Sequence, residues 1–214
     1  MDFEETYSIH IEGRWSLEDL YIFPRAYEQV YFLIHSLQEE LDEAAMERVT
    51  SAYQAFPWQG GYSAVNFYNQ LKRITPKEER PEIASISYAS PGWIEIALIL
   101  SVALNVEKIV RSVCASIQSV NKTYSDIMRG MQDRKLLKIE IERSELELKK
   151  EELEYVEAAA KEMAAVLEIH NLAVINNRTG HPYRTLKILL SLYRRVRILA
   201  DYQREKKADF SNTK

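Results

Sequence analysis

A single cysteine, Cys114, stands among 214 residues. One thiol can form neither an internal disulfide nor a cysteine-based zinc site. Set in an apolar helical stretch, it reads as a small buried hydrophobe rather than a nucleophile. Glycine and proline are scarce, six of each, which argues against a loop-rich β fold. The uncharged apolar run Ile96–Val106 is 11 residues long and lies between Glu95 and Glu107, short of the roughly 20 residues that span a bilayer. His10, His35, His170 and His181 are scattered, with no pair three or four apart to hold a metal on one helix face. No glycine-rich phosphate loop and no Gly-x-Ser-x-Gly elbow occurs. No cofactor and no metal is therefore expected, no catalytic residues are nominated, and an enzyme is not the expected reading. The acidic start Met1-Asp2-Phe3-Glu4-Glu5 lacks the basic and apolar parts of a secretion signal, so a cytoplasmic protein is expected.

What is present is ordinary hydrophobic content, 46%, with 28% charged residues, the composition of a chain that folds around a core. The charge is unevenly placed. Residues 1–130 carry 11 basic and 18 acidic side chains, residues 131–177 carry 7 and 11, and residues 178–214 carry 10 and 3. A basic tail follows an acidic body, and it invites an anionic partner or the protein's own acidic surface.

Tyr7, Ile9 and Ile11 alternate with polar residues, a half-buried strand that Gly13 ends. Ser16 with Asp19 three residues on resembles a helix start. Pro24 better suits the first turn of the main helix than its interior. Tyr27, Val30, Tyr31, Ile34, Leu37 and Leu41 form one helical stripe, with Glu39, Glu40, Asp42 and Glu43 in water beyond it. Short helices are expected near 44–55 and 63–74, with an aromatic turn at 56–62 between them. A proline-bounded polar loop at 75–81 follows. Ala84, Ile86 and Tyr88 alternate as a second strand. Ser90 and Pro91 then have the chemistry of an N-cap and first helical residue.

From there the strongest periodicity in the chain begins. Ile96, Ile99, Ala103, Val106, Val110, Val113, Ile117, Val120, Tyr124, Ile127 and Met131 recur at alternating steps of three and four. This is a coiled-coil type seam, and it nominates Ile96, Ile99, Val106, Val110, Val113, Ile117, Val120 and Ile127 as an oligomer interface. Past Gly130 a narrower stripe follows, carried by Ile139, Leu146, Leu153, Ala160 and Leu167, on a helix in which 15 of the 25 residues from Asp133 to Glu157 are charged. Such an arm would reach roughly 55 Å from Asp133 to about His170. Two geometries fit: Gly130 turns the chain into a hairpin, or it lies within one long helix.

Asn176, Asn177, Gly180 and Pro182 mark a break, and a last helix runs from about Tyr183 to Lys206, with residues 208–214 frayed. Leu186, Leu189, Tyr193, Val196 and Ala200 share a face. Arg184, Lys187, Arg194, Arg195, Arg197 and Arg204 are candidate contacts to nucleic acid or an anionic membrane. The expected fold is α+β and predominantly α-helical: a small two-stranded head packed by helices, with a long coiled-coil-like arm or hairpin. The expected organisation is a head over 1–130, an arm over 131–175 and a basic helix over 176–214. The leading functional expectation is a homo-oligomeric assembly or adaptor protein with a protein partner. Nucleic-acid or anionic-surface binding by the last helix is the alternative. Membrane action by a released Trp93–Val106 helix is the second.

Residues Gly60 to Tyr68 and the Tyr88-Ala89-Ser90-Pro91-Gly92-Trp93 junction resemble a group of bacterial proteins with a strand, a Tyr-x-Ser-Pro-Gly junction and a long charged helix. The resemblance spans residues 6–170 and brings no catalytic residues. It implies a place in bacterial defence or signalling.

Overall fold

A computed structural model describes residues 6–38, 41–55, 61–89, 91–138 and 148–211. The fold is predominantly helical α+β. Two compact units form, and neither is one continuous segment: Met1–Gln38, Thr75–Ala115 and Arg194–Lys214 make the first, and Glu39–Ile74 with Ser116–Tyr193 the second.

The first unit is built on an antiparallel sheet of four strands in the order β2-β3-β1-β4. They are β1 (Thr6–Ile11), β2 (Glu82–Ser87), β3 (Gly92–Ala97) and β4 (Ala208–Asp209). The expected pair of strands is thus doubled. β1 runs beside β3 from Thr6↔Ala97 to Ile11↔Gly92, and β4 adds two residues to its other side. Tyr7, Ile9, Ile11, Ile94 and Ile96 are buried. Over them lie α1 (Leu17–Ser36) and α4 (Leu100–Ala115).

α1 starts where its chemistry says it should. The Ser16 hydroxyl accepts from the Asp19 amide at 3.1 Å, and the Asp19 carboxylate accepts from the Ser16 amide at 2.7 Å. This reciprocal pair satisfies two donors that a helix start leaves orphaned. Because the capping box fixes the start, Pro24 lies inside α1 rather than in its first turn. From Val30 to Ser36 every side chain is buried, so the helix ends as a rod through the core.

The Ser-Pro-Gly junction does not launch a helix. Gly92 opens β3, the antiparallel partner of β2, and the next helix begins only at Leu100. Ile94 and Ile96 point to the core while Trp93, Glu95 and Ala97 alternate with them. That period of two overrode the cap chemistry read at Pro91, and Ser90 itself lies outside the described residues. Gly92 is required by close approach: a Cβ there would sit 2.5 Å from the Ser87 carbonyl oxygen and 2.9 Å from that of Ala89. Both obstacles are backbone and cannot swing away. Gly92→Ala is expected to cost about 1–3 kcal/mol, in the range of overpacked sites, read as a lower urea midpoint with an unchanged slope.

The apolar seam is consequently not one helix. Ile96 belongs to β3, α4 ends at Ala115, and α5 (Ile117–Asp133) begins after Ser116. Val106, Val110, Val113, Val120 and Ile127 are nonetheless almost fully buried, and Ile99 and Ile117 are half-buried. The five buried ones are covered by their own chain.

The second unit holds α2 (Glu43–Gln54), α3 (Gly61–Ile74), α5, α6 (Lys150–Val166), α7 (Leu172–Thr179) and residues 182–193 of α8 (Pro182–Arg204). Gly130 does not turn the chain. It lies inside α5, which ends at Asp133. Lys135 then takes a left-handed φ of 57° and a short 3₁₀ turn spans Leu136–Lys138. The single helix from Asp133 to about His170 is thereby excluded. Gly130 serves instead as a seat for Tyr155: a Cβ would come within 2.6 Å of the ring's Cζ. The Tyr155 hydroxyl donates to the Ile127 carbonyl at 2.9 Å, and the Arg134 guanidinium stands 4.0 Å over the ring. α5 and α6 therefore pack side by side. On α6 the stripe is wider than expected. Val156, Ala160, Met163 and Leu167 are buried, Leu153 is half-buried, and Ile139 and Leu146 lie outside the described residues.

Candidate interaction surface

β2 is an edge strand whose outer side has no neighbouring strand among the described residues. Its register on β3 moves from Ile83↔Ile96 to Ser85↔Glu95, so Ala84 is an extra residue, a β-bulge. The bulge puts Ile83 and Ile86, three apart, on the same face as Ile96 and Ile94. An unbulged strand would have turned one of them to the other face. Simple alternation from Ala84 through Ile86 missed this.

The inner face is covered unevenly. Ile94 and Ile96 are buried, while Ile83 and Ile86 stay 52% and 48% exposed. Between Ile83 and the first half of α1 runs an open groove of about 290 Å³, with Phe23, Pro24 and Tyr27 also in its lining. Tyr21, 63% exposed, stands at the same groove, and Leu17 one turn earlier is 86% exposed. The charged groups at the groove are Arg25 and Glu28, one of each sign. A shallower recess at the start of β2 is lined by Lys77, Arg80, Glu78 and Glu82, two of each sign. Tyr27 contributes ring surface here. Its hydroxyl is buried without a hydrogen-bond partner among the described residues, and burial raises its pKa far above the usual phenol value.

The remaining polar groups of this unit tie elements together. His35 Nε2 meets a Glu79 carboxylate oxygen at 2.9 Å, and Tyr31 donates to the Glu79 carbonyl at 2.8 Å while accepting from the Ile99 amide. The Tyr7 hydroxyl reaches both the Phe210 carbonyl and Glu107. Asp19 is ion-paired to Lys207 at 2.6 Å and accepts from Tyr202 at 2.8 Å. The Lys207 pairing holds its carboxyl well below the usual carboxylate range. Lys207 also lies over the rings of Trp15 and Tyr202.

Burial lowers the His35 pKa from its usual 6.5, against the opposing pull of Glu79. The folded state thus prefers the neutral ring, which donates Nε2–H to the carboxylate. A group with a depressed folded pKa contributes stability that is present above its unfolded pKa and lost as pH falls through the folded one. The unfolding free energy is expected to decline as pH drops below about 6.5, and His35→Gln should remove that part of the slope. An unchanged slope in a urea titration series from pH 7.5 to 5 would refute it.

The six cations nominated for anion binding are divided between the two units. Arg184 and Lys187 belong to the second unit, and Arg194, Arg195, Arg197 and Arg204 to the first. Arg184 donates to the Thr179 carbonyl at 3.0 Å, and Lys187 lies 5.3 Å over the Tyr183 ring. Arg195 donates to Gln29 at 2.8 Å, Arg197 and Arg204 both pair with Asp201, and Arg194 is exposed. α8 is also not a one-faced surface helix. Thr185, Ile188, Leu190, Ser191 and Leu192 are buried along with the expected face. Arg178, which the periodicity did not single out, is 5% exposed; its Nη2 donates to Met46 Sδ, and its Nη1 has no hydrogen-bond partner among the described residues. Cys114 is half-buried, and burial raises its thiol pKa. Among the described residues no cluster of three metal-ligating side chains forms, and no helix is long and apolar enough to cross a membrane.

The groove, the bulged edge and the balanced charges lie together on one side of the sheet, on a helical α+β scaffold. No protein-family model matches the chain, and no curated protein or solved structure shows significant similarity to it.

Proposed function

We propose that this chain is a non-catalytic assembly protein, a homo-oligomeric adaptor of a bacterial defence or signalling system. The observation that carries the reading is the pair Ile83 and Ile86, half-exposed on an edge strand beside an apolar groove. Half-exposed branched side chains at an open edge invite pairing with another chain. The contact surface is the β2 side of the sheet, not the helical seam, whose side chains are already packed. The polar groups that could have served chemistry act instead as ties: His35 to Glu79, Tyr7 to Glu107 and Phe210, Asp19 to Lys207. Light scattering on the purified chain is expected to give the mass of a dimer or higher oligomer. A monomer at every concentration up to the solubility limit would end the oligomeric reading.

A further inference from the structure

We infer that the occupant of the β2 side is a second copy of this chain, joined edge to edge and antiparallel about a two-fold axis that runs between the two β2 strands. The inference rests on the assembly reading above and names its partner. Of the two outer strands, β4 is only two residues long and is followed by the buried Phe210, which leaves β2 with six residues as the edge long enough to extend. Edge strands that stay solvated are usually guarded by lysine or proline within the strand. Glu82-Ile83-Ala84-Ser85-Ile86-Ser87 has neither, and its one charge is at its end. The bulge twists the edge, which by itself discourages pairing, but it also presents both isoleucines on one face. A two-fold axis would gather four isoleucines, two from each copy, over the open side of the groove.

Charge selects the copy over other partners. An isologous contact lays a surface against itself, so a patch of one sign repels its own copy. The groups flanking β2 are balanced: Arg25 with Glu28, and Lys77 and Arg80 with Glu78 and Glu82. This balance stands out in a chain whose ends differ so strongly in charge. A polybasic or polyacidic partner would meet as many like charges here as opposite ones.

The test uses the full chain. Ile83→Lys and Ile86→Lys change half-exposed side chains, so melting of the monomer should hold while the dimer Kd rises at least about a hundredfold, because lysines are then set against each other. Single cysteines at Ile83→Cys, Ser85→Cys, Ile86→Cys and Ser87→Cys are placed in a Cys114→Ser background and oxidised. Cross-linking should peak at the residue nearest the axis and fall on both sides. A wild-type dimer that survives both lysines and does not cross-link along β2 overturns this inference and leaves the assembly reading standing. A wild type that is monomeric throughout overturns both. Ile86→Ser serves as the control variant should a lysine unfold the protein: weakened dimerisation with native melting supports the edge contact, and undiminished dimerisation counts against it.

Discussion

Val113→Glu, or Val120→Glu, is expected to unfold the unit that carries it at every protein concentration. Val113 on α4 is fully buried and Val120 on α5 is 1% exposed. Each substitution removes roughly 1.5–3 kcal/mol of side-chain burial. It then requires a carboxylate to sit among apolar side chains, unpaired, or to be held protonated against its normal pKa. Together the losses exceed about 4 kcal/mol, against a typical total stability of about 5–15 kcal/mol. Helical circular dichroism and thermal unfolding read the outcome. A variant that keeps its melting temperature but changes its oligomeric mass would show instead that these seam positions face a second subunit.

Phe210→Ala is expected to cost about 3–5 kcal/mol, the usual range for emptying a buried phenylalanine site. Phe210 is fully buried close to the end of the chain, where fraying is the default expectation. Its ring packs near Phe23, 5.8 Å between centroids, and stacks on Tyr27 at 6.3 Å. Its amide donates to Gln203 at 2.8 Å and its carbonyl accepts from Tyr7 at 2.7 Å. The segment is therefore a structural strand end, held by an aromatic ring and by polar ties on both sides. A urea midpoint that falls with unchanged slope would confirm the cost. A loss below 1 kcal/mol would mean the ring is replaceable by solvent.

The two substitutions separate what could be read locally from what could not. The seam residues were legible as buried because a three-four spacing marks a face that avoids water, whatever covers it. Phe210 carried no such mark. One aromatic among Asp209, Ser211 and Asn212 has no period, and its burial depends on a pocket assembled from β1 and α1, some 180 residues away. The same divide runs through the candidate surface. Ile83 and Ile86 are visible as apolar residues, but their shared face depends on a bulge at Ala84 that only the pairing with β3 creates.

Residues by themselves determined the local states whose energies are local. Ser16 and Asp19 set the start of α1, Tyr7, Ile9 and Ile11 set the core face of β1, and Gly180, with its left-handed φ of 65°, set the end of α7. Tertiary structure decided every case in which two local rules competed, or in which the partner lay far along the chain. Pro91 could have opened a helix, yet Ile94 and Ile96 gained more by alternating against β1. Gly130 could have turned the chain, yet it admits the Tyr155 ring into a continuous α5. α8 reads as one-faced and is buried on most sides through its first half. Local preferences differ by up to about 1 kcal/mol per residue, whereas burying one large side chain contributes roughly 1.5–3 kcal/mol. Where both act, packing prevails, and packing is a property of the folded chain.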